Sequence, residues 1–310
     1  MNNILHLKYA VEVEKTGSIS KAADNLFIAQ PHLSKTIKEL EKSLGIVLFN
    51  RTPRGVIPTR KGEEFLKYAR SIISQIEEME SLYKPSEKNK QQFDICVPRA
   101  SYISFAFTEF IKELDLEKAI DINYRETNSM RAINQVAEGI NNLGIIRYQT
   151  IYEKYFLNAL EERELKYEPI WEFQYLALMS EKHPLATDDI IEFSKLQKYT
   201  EIIHGDLTVP ALPVSEAKMI AQAEEKKKKI AVYERGSQFE ILSRIPTTYM
   251  WVSPVPEDVL SCFFLVQKPC NMSKNKYKDI LIYHKGYHLC EVDHMFIQKL
   301  NDTVQIVSNL

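Results

Sequence analysis

Glycine is scarce, with only 9 in 310 residues. Phosphate-cradling loops rely on glycine where the backbone must approach a ligand closely, and the scarcity removes most of them. No two glycines stand two positions apart, so the G-x-G-x-x-G dinucleotide fingerprint is absent. Gly139 and Gly144 have the spacing of a P-loop, but Ile145 follows where a lysine must reach the phosphates. Neither G-x-S-x-G nor H-E-x-x-H occurs, which removes two common hydrolase signatures. Cysteine is also rare: Cys96, Cys262, Cys270 and Cys290, with no C-x-x-C, read as free, reduced thiols of an intracellular chain. No uncharged apolar run reaches about 18 residues, so no membrane span is expected. Lys8, Glu12 and Glu14 interrupt the N-terminal apolar residues, so no secretory signal is expected and the predicted location is cytoplasmic.

What is present is ordinary in amount and uneven in placement. Hydrophobic residues make up 45% and charged residues 26%, enough for a buried core without staples, and the length suggests two or three domains. The net charge of −2 divides into +5 over residues 1–70 and −7 over the remainder. A basic head on an acidic body suggests that the head meets an anionic partner.

Residues 1–60 read as short helices followed by a hairpin. Leu7, Ala10, Val11 and Glu14 share one helical face, and Thr16-Gly17 stops that helix. Ser18 is a natural N-cap for a short segment from Ile19 to Leu26, where Ala22 and Ala23 leave room for a close neighbour. After a break at Phe27-Ile28, Pro31 suits a first helical turn. Leu33, Ile37, Leu40 and Leu44 then form one apolar stripe, and Gly45 closes the helix. Pro31, Ser34, Lys35 and Lys38 form a polar, basic stripe with Gln30 at its N-terminal end. Two short helices with a tight break, the second presenting Gln, Ser and Lys from its first turns, are what a helix-turn-helix requires. Glutamine can bond adenine in the major groove, and lysine and serine reach phosphates or base edges. Taken alone, the stripe equally fits a solvated helix face.

The next stretch favours DNA. Ile46 to Phe49 and Val56-Ile57 read as short strands around the tip Asn50-Arg51-Thr52-Pro53-Arg54-Gly55. A wing of this kind lies over the backbone or the minor groove, whose negative potential attracts arginine. Arg54 is assigned to that role, and Arg51 either joins it or pairs internally with Glu41.

These residues resemble a family. Gly17-Ser18-Ile19-Ser20-Lys21-Ala22-Ala23, Leu26, Gln30-Pro31-His32-Leu33-Ser34, Leu40-Glu41, Leu44-Gly45, Leu48-Phe49-Asn50-Arg51 and Thr59-Arg60-Lys61-Gly62 are similar, without gaps, to the LysR-type transcriptional regulators. The departures are Ala10 for a usual Phe, Ala29 for a common Ser, and Pro58 for a usual Leu. The resemblance implies DNA contacts from Ser18, Ser20, Gln30, Pro31, Ser34, Lys35, Lys38, Arg51 and Arg54.

From Thr59 to about Tyr83 a helical segment carries Phe65, Ala69, Ile72, Ile76, Met79 and Tyr83 at alternating spacings of 4 and 3. This is a seam for a partner helix, most simply the same helix of a second chain. Packing on the chain's own second half is the alternative. Residues 61–84 are thus a dimerisation helix, and the polar run 85–92, opened by Pro85, reads as a linker.

From residue 93 strands and helices alternate: strands at 93–97, 120–124 and 143–146, with helices at 101–114 and 129–139 between them. That order predicts a parallel α/β sheet. A second unit contains strands at 167–171, 175–179, 200–203, 230–233 and 248–252, with a short helix near 192–196. Residues 280–283 and a final helix at 294–304 are expected to return to the first unit. Glu168-Pro169-Ile170, Tyr175 to Met179 and His183-Pro184-Leu185-Ala186 resemble the family's effector-binding domain, and Asn142 departs from a frequent Asp. The resemblance implies two Rossmann-like lobes, as in type 2 periplasmic binding proteins: residues 93–165 with 267–310, and residues 166–266.

Ligands of open α/β sheets settle outside the carboxyl ends of the strands. That rule, together with the resemblance, selects Arg99, Ser101, Asn128, Ser129, Arg147 and His204 around a small, carboxylate-bearing effector, with helix capping as the bland role for Ser101 and Ser129. His284, His288, Cys290 and His294 crowd together but are expected on differing elements, which disfavours a metal site. Cys262 and Cys270 have no spacing that argues for a bridge. Glu224-Glu225 and Lys226 to Lys229 read as a solvated helix face.

The expected protein is therefore a non-enzymatic, cytoplasmic DNA-binding regulator. It has a winged helix-turn-helix head (1–60), a long linker helix and two α/β subdomains. Its expected partners are operator DNA, a small-molecule effector, a second or fourth copy of itself and RNA polymerase, with no resident cofactor. The competing readings are a small-molecule-binding protein or enzyme on the same body, and a regulator sensing redox state or metal.

Overall fold

A computed structural model describes residues 4–52, 55–83, 90–205, 228–233, 235–271 and 275–308. The chain forms two compact units, 1–89 and 90–310.

In the first unit α1 (Ile4–Thr16), α2 (Ile19–Asn25) and α3 (Gln30–Leu44) enclose a core of Ala10, Val13, Ala22, Ala23, Leu33, Ile37 and Leu40. Ser18 caps α2 as expected, its side chain accepting from the Lys21 amide at 3.4 Å. Gly45 ends α3 at φ 70°, where a Cβ would be strained. The wing strands are β1 (Phe49–Thr52) and β2 (Gly55–Pro58), antiparallel, with Phe49 opposite Pro58. They begin later than the apolar run from Ile46 suggests. The Leu48 and Phe49 amides donate to the Glu41 carboxylate at 2.7 and 3.2 Å, which ties residues 46–48 to α3 instead of to a strand partner.

Helix α4 (Arg60–Tyr83) is locked at its first turn to the segment that leads into the wing. The Thr59 hydroxyl donates to the Val47 carbonyl at 2.7 Å and accepts from the Gly62 amide at 2.9 Å. A Cβ on Gly62 would lie 2.0 Å from the Leu48 carbonyl oxygen, so only glycine permits this approach. Further along, Arg70 pairs with Glu14 of α1 at 2.5 Å.

The second unit has two lobes. In the first, β3 (Lys90–Val97), β4 (Ala119–Glu126), β5 (Leu143–Gln149), β6 (Leu165–Gln174) and β12 (Lys276–His284) form a sheet in the order β4-β3-β5-β12-β6. Strands β4, β3 and β5 are parallel, as the alternation predicts. Strand β3 starts at Lys90, within the expected linker, because Lys90, Gln91 and Gln92 pair with β4 from Ala119 onward. Helices α5 (Ser101–Lys112), α6 (Ser129–Ala137), α7 (Glu153–Glu161) and the last helix (Glu291–Ser308) cover the sheet.

The strand expected to open the second lobe, β6, belongs to the first. It runs antiparallel to β12 at the sheet edge, where Pro169 is tolerated, with a register shift at Asp279/Ile280. The second lobe contains β7 (Leu176–Ser180), β8 (Thr200–His204), β9 (Lys229–Val232), β10 (Thr248–Val252) and β11 (Leu265–Lys268), ordered β11-β7-β10-β8-β9. Around them lie α8 (Phe193–Leu196), α9 (Arg235–Arg244) and α10 (Glu257–Phe263). Lys229 starts strand β9 and not a helical face; residues 224–227 lie outside the described residues.

Candidate functional site

The head presents the expected face. On α3 Leu33, Ile37 and Leu40 turn inward, while Gln30, Pro31, Lys35 and Lys38 are exposed and Ser34 is half-buried. Ser20 is exposed, whereas Ser18 is half-buried and engaged as a cap. Lys35 lies 3.8 Å from Glu39 with both side chains in solvent, a weak tie that leaves the ammonium able to meet phosphate. Ala29 supplies no side-chain cap, a direct result of its departure from the common Ser. Phe27, at the break between α2 and α3, holds φ 54° and is 96% exposed. Arg54 and the side chain of Arg51 lie outside the described residues. The Glu41 carboxylate, considered as a partner of Arg51, serves the Leu48 and Phe49 amides.

The seam of α4 divides. Ala69 is fully buried, so it serves the chain's own fold, and Phe65 is half-buried with part of its ring packed against the head's core. Ile72 is 40% exposed, Met79 55% exposed and Ile76 half-buried. The side chain of Tyr83 lies outside the described residues.

A cavity of about 550 Å³ opens between the lobes of the second unit. All six residues chosen from strand ends line it: Arg99, Ser101, Asn128, Ser129, Arg147 and His204. Their bonding separates them. The Ser129 hydroxyl donates to the Arg147 carbonyl at 2.7 Å and accepts from the Arg147 amide at 3.1 Å, so it closes the wall and has little left for a ligand. Asn128 caps α6, accepting from the Arg131 amide at 3.0 Å. The Arg147 guanidinium forks onto Asp279 at 2.8 and 2.7 Å and lies over Phe173, which makes it a wall ion and not an open charge. Burial opposes that cation, but the Asp279 carboxylate together with the Tyr175 and Tyr102 phenols offsets it, and its pKa is held well above the ordinary value. His204 Nδ1 and Gln238 Nε2 are 2.7 Å apart. Ser101 and Arg99 reach the other lobe: Ser101 Oγ accepts from Arg235 at 2.9 Å, and Arg99 donates to the Tyr233 carbonyl at 3.1 Å.

Aromatic side chains form part of the remaining wall, beside aliphatic residues such as Ile202 and Met250 and the carboxylate-bearing Glu201. Tyr148 stacks on Phe156 at 5.1 Å, and Tyr175 on Tyr277 at 3.9 Å. Burial and the nearby Tyr175 push the Tyr277 phenol up to about 12, so it stays neutral near pH 7 and accepts from Gln149 at 2.9 Å. Sequence reasoning missed these aromatics, and also Arg235 and Gln238, because α9 carries no apolar stripe regular enough to mark it. Polar handles at strand ends with an apolar body between them suit a small organic ligand.

Among the described residues no cluster of three or more His, Cys, Asp or Glu could hold a metal ion, and Cys96, Cys262, Cys270 and Cys290 are unbridged. Nor is any described helix long and apolar enough to cross a membrane.

Residues 4–63 match the family described as bacterial regulatory helix-turn-helix protein, lysR family. The chain is 28% identical over 198 residues to the uncharacterized HTH-type transcriptional regulator YnfL of Escherichia coli, a match covering 62% of each chain and thus less than two thirds of that relative. Over 79 residues, 26% of each chain, it is 46% identical to the HTH-type transcriptional regulator BenM of Acinetobacter baylyi. In structure it is similar to a full-length OxyR point variant of Pseudomonas aeruginosa, at TM-score 0.66 and 14% identity over 99% of this chain and 96% of that one. LysG of Corynebacterium glutamicum with bound effector Arg gives TM-score 0.59 at 14% identity over 98% of both chains. CbnR complexed with target DNA gives 0.55 at 13% identity over 97% of this chain and 100% of that one. At these identities the structures establish shared fold. Residues 4–63 therefore form a helix-turn-helix domain of the lysR family, and the chain carries it with a body of the fold these full-length structures share.

Proposed function

We propose that the chain is a sequence-specific DNA-binding transcriptional regulator whose operator binding is modulated by a small molecule in the cleft between its lobes. The observation that carries this is the solvent-facing row Gln30, Pro31, Lys35 and Lys38 on the second helix of a lysR-family helix-turn-helix. The solved complex of CbnR with its target DNA and the effector-bound LysG support the two halves of the reading. Two heads joined through the exposed part of α4 engage paired half-sites, as a dimer or a pair of dimers, and act on RNA polymerase in the cytoplasm without an enzymatic step. A solute-binding protein or enzyme on the same body would have no use for the basic head. The effector is a small carboxylate-bearing molecule, met by Ser101, Asn128, His204 and Arg99.

Genome-wide capture of bound DNA followed by footprinting tests the reading. Gln30→Ala should cost about 1–3 kcal/mol and blur sequence preference. Lys35→Ala should weaken all sequences alike and lower the salt slope by about 1. Parental footprints from folded Gln30→Ala protein would reject the recognition helix.

A further inference from the structure

Arg235 opens α9 on the second lobe and crosses the cleft to the first. Its guanidinium donates to Glu126 at 2.6 Å and to Ser101 Oγ at 2.9 Å. The ion pair is largely shielded, with side-chain exposures of 18% for Arg235 and 20% for Glu126. The guanidinium also lies 5.6 Å from the centre of the Phe239 ring, which limits its room to turn toward water. A cation so placed needs an anion at all times, because leaving it unpaired out of water is expensive. In the absence of a ligand, the protein supplies that anion from its own chain. Glu126 is the last residue of β4, an edge strand, and can swing outward without disturbing a ladder.

We propose that Arg235 sets the charge of the cleft's ligand: a ligand carboxylate replaces Glu126 on its guanidinium, and Glu126 is a built-in competitor that holds Arg235 across the cleft until that exchange. The proposal rests on reading the cleft as the effector site. A neutral or cationic ligand cannot make the exchange, because it would leave the guanidinium without a counter-ion. A carboxylate can, since it offers the same two oxygens and keeps the Ser101 hydroxyl in the cluster. The apparent affinity of such a ligand is reduced by the fraction of time Glu126 occupies the site.

The test is a ligand-observed NMR titration of the full-length protein with sodium acetate, and with acetamide as its neutral isostere. The parent should bind acetate weakly and acetamide not at all. Glu126→Gln, which removes the competitor and keeps the guanidinium, should bind acetate about tenfold more tightly. Arg235→Ala should lose the acetate response, and Arg235→Lys, which cannot fork, should weaken it. A merely structural ion pair predicts the reverse for Glu126→Gln, with affinity unchanged or reduced, and that result overturns the proposal even if Arg235→Ala fails to fold. Equal binding of acetate and acetamide, or no binding of either by any variant, also overturns it. If acetate binds through Arg235 but leaves operator affinity untouched, charge selection stands and the effector reading of the cleft fails instead.

Discussion

Arg147 and Asp279 face each other at paired positions of the antiparallel β5–β12 ladder, and their side chains close a two-bond fork at 2.8 and 2.7 Å. Asp279 is fully buried and also accepts from the Tyr102 hydroxyl at 2.5 Å. The register shift in β6 falls beside it, between Asp279 and Ile280. Asp279→Asn should therefore strand a buried guanidinium and cost about 3–5 kcal/mol. Arg147→Met combined with Asp279→Leu should recover much of that loss. Urea denaturation of the three proteins measures both effects, and a single-variant loss below about 1 kcal/mol would show that water reaches the pair.

Two glycines of the head should respond differently to alanine. Gly62→Ala forces a Cβ to 2.0 Å from the Leu48 carbonyl oxygen and should cost about 3 kcal/mol or more. Gly45→Ala meets nothing within 4 Å and pays only for φ +70°, about 1 kcal/mol. Thermal melts of the two variants should rank in that order, and equal losses would refute the close approach of α4 to Leu48.

Charge placed along α4 should separate assembly from folding. Ile72→Asp and Ile76→Asp alter exposed or half-buried positions, so the chain should stay folded while the proposed dimer weakens and the proposed operator binding falls with it. Ala69→Asp buries a carboxylate within the head and should unfold it. Sedimentation showing an unchanged oligomer in both isoleucine variants would reject the seam.

His183 should make stability fall in mild acid. Its ring is buried, Nδ1 accepts from the Leu185 amide at 3.0 Å, and burial lowers its pKa from the ordinary value of 6.5. The unfolded chain then binds a proton that the folded chain refuses. The contribution is whole above pH 6.5 and is lost as pH falls through the folded pKa. Urea midpoints measured from pH 8 to pH 5 should decline for the parent and flatten for His183→Asn.

The sequence by itself determined the head and the layout of the body. Ser18, the stripe from Leu33 to Leu44, Gly45 and the Thr59–Gly62 turn are local signals, because caps, periodicity and glycine stops act within one or two turns of chain. Alternation of strands and helices likewise announced the parallel β4-β3-β5 core, and strand ends pointed to the cleft. Only the tertiary structure decided what each cleft residue is free to do. Ser129 and Arg147 look like ligand groups in sequence, yet one is spent on a neighbouring backbone and the other on Asp279, 132 residues away. Arg235 reaches Ser101 across 134 residues, and no local pattern records such a pairing. Likewise β6 joined the first lobe because its partner, β12, comes from the far end of the chain. Hydrogen bonds and ion pairs depend on distance in space, and sequence separation carries no information about it once the chain has folded back on itself.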